Sequence, residues 1–401
     1  MPVLLVERAV VVIRIMFVSD QYPPMIGGVP QLTRGLASDL VKRGHQVWVI
    51  APNYGVRDSQ RVEQGVHVSR FTSIEWPTYR EQRIPFLPFT PVYSLLKECD
   101  PDVIHIQSPV VLGNIALILA GHFAKPIVVT NHYLPINMSR SLTKHPVFSK
   151  PFSTITYSYL VHFYNRCDFV TSPTRIALDL LIERGLRSPS QVISNGIDLN
   201  RYVPGPRQPE VLRRLGLPED RPLILHLNRL SREKRIDVLL HAVARMRMPA
   251  HVALVSTGPA EAELRALVQK LDIEEHISFL GYIHDSDLVP LRRSTHLFAI
   301  PSEADLQSMA MMEDMVCGLP IVAANSYALP EQVHHERNGF LFTPGDSEEL
   351  ATRLDQLLED EELRTRMGQE SLEIITDHDR TKVLEQWEDL YQRLARVTAN
   401  T

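Results

Sequence analysis

Two carboxylates, Asp305 and Glu313, stand eight positions apart after an apolar run ending in Ile300-Pro-Ser302, and Gly318-Leu-Pro320 closes the segment. Residues 308–316 read as a helix with Gly318 just past its end. Asp305 then lies on the loop before the helix and Glu313 in its second turn. Both can face a cleft at the carboxyl end of a strand, where open α/β sheets bind ligands. Upstream, Leu225-His-Leu-Asn-Arg-Leu-Ser-Arg-Glu-Lys234 reads as a strand entering a basic turn that carries Arg229 and Lys234. An arginine grips phosphate with its planar fork, and a lysine adds a point charge. Carboxylates accept hydrogen bonds from hydroxyls, and a helix N-terminus offers backbone N–H groups to an anion. This combination suits a sugar nucleotide, with hydroxyls at both ends and a diphosphate between. Isolated acids beside a helix are ordinarily surface charges. The coincidence of acids and cations at two strand ends is what sets these apart.

Such residues need a frame, and apolar strands alternate with helical patterns along the whole chain. Strands read at 13–19, 46–51, 66–70, 103–107, 126–131, 168–172, 191–194, 223–228, 251–257, 276–280, 296–301, 320–324 and 340–342. Helices read at 29–43, 89–98, 110–123, 174–184, 235–247, 260–271, 286–293, 308–317 and 347–357. Repeated βα units imply parallel sheets with right-handed crossovers. Tyr202-Val-Pro-Gly-Pro-Arg-Gln-Pro209 cannot continue a strand or helix and reads as a linker. The expected architecture is α/β, two Rossmann-like parallel-sheet domains facing a cleft. Their expected extents are 1–203 and 204–380, followed by a C-terminal helix within 381–401. A chain of 401 residues fits two cores.

The net charge of −5 argues against general nucleic-acid binding. Cys99, Cys167 and Cys317 have neither metal spacing nor a disulfide framework, which points to a reducing cytoplasm. The stretch Val3–Ile13 is apolar but broken by Glu7 and Arg8, too short to span a bilayer and unlike a signal peptide; it reads as an extension ahead of the first strand. Gly27-Gly28 lets backbone approach a ligand at a helix start, or is a plain turn. His132 ends a strand, and His105 follows another as a weaker candidate. Asp285-Ser-Asp287 has a metal-binding pattern but opens a helix, where aspartate is a capping signal. No metal site is expected.

No acid occurs between Asp102 and Asp168, an interval that holds Arg140, Lys144 and Lys150 beside Phe148 and Phe152. Cations with aromatic anchors suit an anionic membrane surface, at roughly 1 kcal/mol per basic residue. Buried strand and helix also lack acids, so a purely structural origin stands beside the membrane reading.

Five segments in order resemble the retaining GT-B glycosyltransferases of the GT4 family. Ile15-Met-Phe-Val-Ser-Asp20 with Pro23-Pro24 and Gly27-Gly28 resembles the first strand and glycine loop. Val128-Val-Thr-Asn-His132 resembles the strand ending in the active-site histidine, and Ile193-Ser-Asn-Gly-Ile-Asp198 the element closing the N-terminal domain. Arg229 and Lys234 resemble the diphosphate-binding pair, and Asp305 and Glu313 the acids of the Glu-x7-Glu motif. The chain departs from the pattern with Asp305 for the first Glu, Leu306-Gln-Ser-Met309 for Gly-Phe-Gly-Leu, and Asn228 for Gly before the arginine.

The resemblance implies a metal-independent hexosyl transfer from a nucleoside-diphosphate sugar, with no cofactor. It implies that Glu313 binds the ribose, that Asp305 and the backbone at Ser308 and Met309 orient the sugar, and that His132 closes the site. The base is expected beside Gly281-Tyr282-Ile283. The variant after Asp305 resembles bacterial members, some of which make glycolipids. A lipid or glycan acceptor and a peripheral place on the inner membrane face follow as expectations. A soluble acceptor, a sugar-nucleotide epimerase and a non-catalytic nucleotide-sugar binder stay open.

Overall fold

A computed structural model of the chain describes residues 11–76, 79–135 and 146–399. Arg140 and Lys144 lie outside the described residues, as does the stretch before Val11, and of Phe148 and Lys150 only the helical backbone is described.

Short, wholly apolar runs such as Met16-Phe-Val18 and Leu297-Phe-Ala-Ile300 are buried on both faces, as parallel strands between helix layers must be. The first half of the chain forms β1 (Arg14–Val18), α1 (Gly28–Lys42), β2 (Gln46–Pro52), β3 (Ser59–Glu63), β4 (Val66–Phe71), β5 (Ser73–Trp76), β6 (Tyr79–Pro85) and α2 (Phe89–Cys99). It continues with β7 (Val103–Ile106), α3 (Val111–Phe123), β8 (Ile127–Thr130), α4 (Pro146–Tyr164), β9 (Phe169–Ser172), α5 (Arg175–Ile182) and β10 (Ser190–Val192). Eight of these strands make one sheet in the order β10-β9-β8-β7-β1-β2-β4-β3, parallel except for β3. Strands β5 and β6 pair as a separate antiparallel ribbon.

The second half forms α6 (Pro209–Arg214), β11 (Leu223–Leu227), α7 (Ile236–Val243), β12 (His251–Val255), α8 (Glu261–Leu271), β13 (Ile277–Gly281) and α9 (Asp285–Ser294). It continues with β14 (Leu297–Ile300), α10 (Met309–Val316), β15 (Ile321–Ala324), β16 (Gly339–Phe342), α11 (Ser347–Glu359), α12 (Glu361–Ile375) and α13 (Arg380–Ala399). Its sheet is parallel throughout, in the order β13-β12-β11-β14-β15-β16. Helix α13 returns to the first sheet, where Val383, Leu384, Trp387, Leu390 and Tyr391 share a core with Ile15, Phe17 and Val49.

Three differences from the sequence reading have simple causes. Pro209 does not prolong the linker; it is the first residue of α6, where a missing N–H costs nothing. Strands β3, β5 and β6 were not expected, because edge and ribbon strands such as Ser59-Gln-Arg-Val-Glu63 lack an apolar alternation. Asp285 and Asp287 do not cap α9 themselves; the His284 ring accepts from the Ser286 N–H, while Asp285 pairs with Arg201 at 2.6 Å and Asp287 with Arg214.

Strand order decides where a ligand can enter. Each sheet reverses direction of growth beside its first strand, between β1 and β7 in one and between β11 and β14 in the other. Crevices open beyond the carboxyl ends at such points. Arg229 and Lys234 follow β11 and Asp305 follows β14, so the fold pairs Lys234 with a residue seventy-one positions away.

Candidate active site

Lys234 ends a short 3-10 turn, Arg232–Lys234, and its Nζ donates to Asp305 Oδ1 at 2.7 Å, both side chains being about nine-tenths buried. The other oxygen, Asp305 Oδ2, is buried with no partner among the described residues. A buried acceptor left open is costly unless a ligand completes it. Arg229 stands three residues ahead of this turn on the loop after β11, half-buried, with its backbone N–H donating to Asn228 Oδ1 at 3.0 Å. Ser308 caps α10 by accepting from the Met311 N–H at 3.3 Å. The helix dipole therefore opens beside Ser308 and Met309.

Glu313 is more tightly held than the sequence suggested. Tyr202 Oη donates to its Oε1 at 2.9 Å, and the Arg292 guanidinium pairs with its Oε2. Arg292 is wholly buried, also pairs with Asp314 at 2.5 Å, and donates to the Ala310 carbonyl at 3.1 Å. Burial pushes the Asp314 carboxyl up to about 7 even though Arg292 pulls it down. Two guanidiniums lie over the Tyr202 ring, Arg201 at 5.2 Å and Arg292 at 5.6 Å from its centre. Each Glu313 oxygen keeps an acceptor position beyond its protein partner. Neither Tyr202 nor Arg292 was among the expected site residues.

The first sheet meets this site through backbone and amide contacts. Thr174, just past β9, donates to the Leu306 carbonyl at 3.0 Å, one residue beyond Asp305. Gln307 accepts from the Asn195 N–H at 2.8 Å and donates to Ser194 Oγ at 3.1 Å. Glu331 accepts from the Arg175 and Ile176 N–H groups at 2.8 and 2.5 Å, so a carboxylate from one half caps α5 of the other. Strand β8 pairs with β9, Thr130 opposite Thr171, which makes the loop with His132 the neighbour of the loop with Thr174. His132 itself lies two residues past the end of β8. Burial holds its imidazole down to about 4, so it is neutral near pH 7.

The remaining expected residues fall around this point or apart from it. Gly27 and Gly28 are exposed at the start of α1, and a side-chain carbon on Gly28 would meet nothing within 4 Å, so backbone is open to a ligand there. Ile283 is buried, and Tyr282 projects with 74% of its surface exposed in the loop after β13. Phe152 is partly buried on α4, a helix whose Tyr157, Leu160, Phe163 and Tyr164 pack into the core of the first domain.

Comparison with known proteins agrees with the architecture. The model described as Glycosyltransferase Family 4 matches residues 26–201, and that described as Glycosyl transferases group 1 matches residues 207–373. The chain is 29% identical to a sulfoquinovosyl transferase of Arabidopsis thaliana, over 85% of this chain and 65% of that protein's own length. It is 24% identical to an alpha-monoglucosyldiacylglycerol synthase of Streptococcus pneumoniae, over 82% of this chain and 75% of that one. The fold superposes on sucrose-phosphate synthase of Thermosynechococcus elongatus with a TM-score of 0.81 at 19% identity, covering 96% of this chain and all of the other. It superposes on HepE of Anabaena in complex with UDP with a TM-score of 0.76 at 24% identity, covering 95% and 100%. Two family models in tandem, across both sheets and the cleft between them, make this chain a GT-B glycosyltransferase of group 1, family 4.

Proposed function

We propose that the chain transfers a hexose, with retention, from a nucleoside-diphosphate sugar to a lipid or lipid-linked acceptor at a membrane surface. The observation that carries the donor half is the Lys234–Asp305 pair at the β11/β14 crevice, with Arg229 on the same loop after β11 and one Asp305 oxygen left open. Arg229 and Lys234 balance charge growing on the leaving diphosphate, which a fixed cation stabilises most when water is excluded. Glu313 accepts from the ribose hydroxyls with its two remaining acceptor positions. Asp305 Oδ2 accepts from the sugar, which the backbone near Ser308 and Met309 helps to orient. His132 closes the donor from the opposite wall. The acceptor hydroxyl attacks the face that the diphosphate leaves, and a departing phosphate oxygen takes its proton. The two cations supply the positive charge that a divalent ion would otherwise bring.

The test is a thermal-shift panel of UDP-glucose, GDP-mannose and ADP-glucose, followed by NMR of the product. A bound donor raises stability by mass action. An α-linked product from an α-configured donor, formed equally in EDTA, is expected. An inverted product, dependence on Mg²⁺ or Mn²⁺, or epimerised donor without acceptor would each overturn the corresponding part.

The acceptor half rests on an exposed face of the first domain. Phe86 and Leu87 precede α2, and Phe89 and Tyr93 lie one turn apart on it. Ile118 on α3 and Ile155 and Tyr159 on α4 are also exposed. Contacts join the three helices into one surface: Tyr93 packs on His122 and Phe123, and the Asn114 amide donates to Tyr159 Oη at 2.7 Å. Isolated exposed hydrophobics are common, but a contiguous apolar face marks an interaction site. In sequence, the acid-free interval that contributes Tyr159 and Ile155 to this face also carries basic residues. No helix among the described residues is long and apolar enough to cross a membrane. A relative named for diacylglycerol chemistry supports a lipid acceptor.

Flotation with anionic vesicles at low salt should carry the wild-type chain upward. High salt, or Glu at Arg140, Lys144 and Lys150 together, should release it, because exposed charges are screened beyond roughly 8 Å at physiological ionic strength. Indifference of the wild type to anionic vesicles at low salt would defeat the membrane claim.

A further inference from the structure

A continuous buried hydrogen-bond chain runs from the terminal helix to His132. Tyr391 Oη, on α13, lies 2.7 Å from His105 Nδ1. His105 Nε2 lies 2.7 Å from Thr130 Oγ1 and 2.9 Å from Gln107 Nε2, and Gln107 Oε1 lies 2.7 Å from His132 Nε2. His105 is clamped between the rings of Phe17 and Trp387, at 5.0 and 4.8 Å. Tyr391, His105, Thr130 and Gln107 are all buried, and of these five residues only His132 is partly exposed.

Burial keeps both imidazoles neutral at pH 7, so each ring carries one N–H and one lone pair. In the arrangement of the structure Gln107 Oε1 faces His132 and Gln107 Nε2 faces His105, and each ring takes the complementary role. Gln107 Oε1 can only accept, so His132 Nε2 donates and His132 Nδ1 is left as an acceptor. Gln107 Nε2 can only donate, so His105 Nε2 accepts, and His105 Nδ1–H donates to Tyr391 Oη. We propose that Gln107 is a positioning residue that fixes the orientation and the Nε2–H tautomer of His132, and that His105 and Tyr391 hold Gln107 in the direction this requires. The consequence is an acceptor nitrogen on the cleft wall, suited to a sugar hydroxyl. The proposal rests on the reading of His132 as a donor contact. It also gives α13 a part in the site: a helix distant in sequence secures the end of the chain.

The test begins with ¹⁵N NMR of the histidine rings in the unliganded protein, which reads the tautomer directly. Wild type should show His132 protonated at Nε2 only. Gln107→Leu, similar in volume and without polar atoms, should mix or reverse that pattern. Its turnover with UDP-glucose, GDP-mannose or ADP-glucose, whichever the wild type uses, should fall about 10–100-fold, the scale for removing a partner that orients a functional histidine. Affinity for UDP, GDP and ADP by calorimetry should stay unchanged, because those contacts lie across the cleft. Gln107→Glu keeps the acceptor for His132 and should restore the Nε2–H signature and part of the turnover. Tyr391→Phe should alter the His105 shifts first.

If Gln107→Leu keeps wild-type ring shifts and turnover while His132→Ala is inactive, the positioning role is wrong and the reading of His132 stands. If His132→Ala turns over normally, the reading of His132 fails, and the ring shifts of Gln107→Leu still decide the tautomer. Should Gln107→Leu not fold, Gln107→Glu decides alone: loss of the Nε2–H signature there overturns the proposal.

Discussion

Arg229→Ala and Lys234→Ala are each expected to lower turnover by about 10²–10³, the scale for losing one preorganised charge-stabilising group. The two should differ in kind. Lys234 is bonded to Asp305, so its removal frees a buried carboxylate beside the donor phosphates as well as deleting a cation. Lys234→Ala should therefore weaken binding of UDP, GDP or ADP, the repulsion being present before any bond breaks. The double variant Lys234→Ala/Asp305→Ala should recover affinity but not turnover. Arg229→Ala should act mainly on turnover, since charge on the leaving oxygen grows toward the transition state. Steady-state kinetics with calorimetry on folded variants separate these outcomes. Near-wild-type rates in both single variants would remove the diphosphate assignment.

Asp305 also shows why spacing alone underdescribes this site. The sequence places Asp305 and Lys234 in separate segments, and only the β11/β14 adjacency makes them partners. The order of elements was legible, because parallel strands buried on both faces appear as unbroken apolar runs such as Val252-Ala-Leu-Val255. The ribbon β5–β6 was not, since two strands with one solvated face leave little trace in composition. Arg292 is the sharpest case. Arg292-Arg293 reads as a basic pair at a helix end, and no local signal distinguishes the two. One is wholly buried between two carboxylates, while the other is partly exposed and donates to the Val203 carbonyl. Gln307, a departure from the family's glycine-rich segment, likewise gains meaning only when seen bonded to Ser194 and Asn195. Long-range pairing, unlike periodicity, leaves no pattern in a single sequence.

Arg292→Met is expected to cost about 3–5 kcal/mol, the range for removing one partner of a buried ion pair. Methionine fills much of the space but leaves Asp314 buried with no counter-charge and frees one oxygen of Glu313. The loss should depend on pH with a definite sign. Asp314 already titrates at about 7 in the fold against 3.8 ordinarily, raised by burial and held down by Arg292. Removing Arg292 raises it further. A group whose folded pKa lies above its unfolded one binds protons preferentially in the fold, so its penalty is greatest above the folded pKa and shrinks as pH falls toward 3.8. Arg292→Met should therefore be most damaged at pH 8.5 and recover stability relative to wild type toward pH 5. Adding Asp314→Leu should restore much of the stability at high pH, because an apolar pair can replace a buried ionic one at little cost. It should not restore nucleotide affinity, because Glu313 would still lack the guanidinium that holds its Oε2. Urea melts of wild type and the two variants at pH 5, 7 and 8.5, with calorimetry on the double variant, read both effects. A pH-independent loss, or full affinity in the double variant, would show that Arg292 neither compensates Asp314 nor holds Glu313 in place.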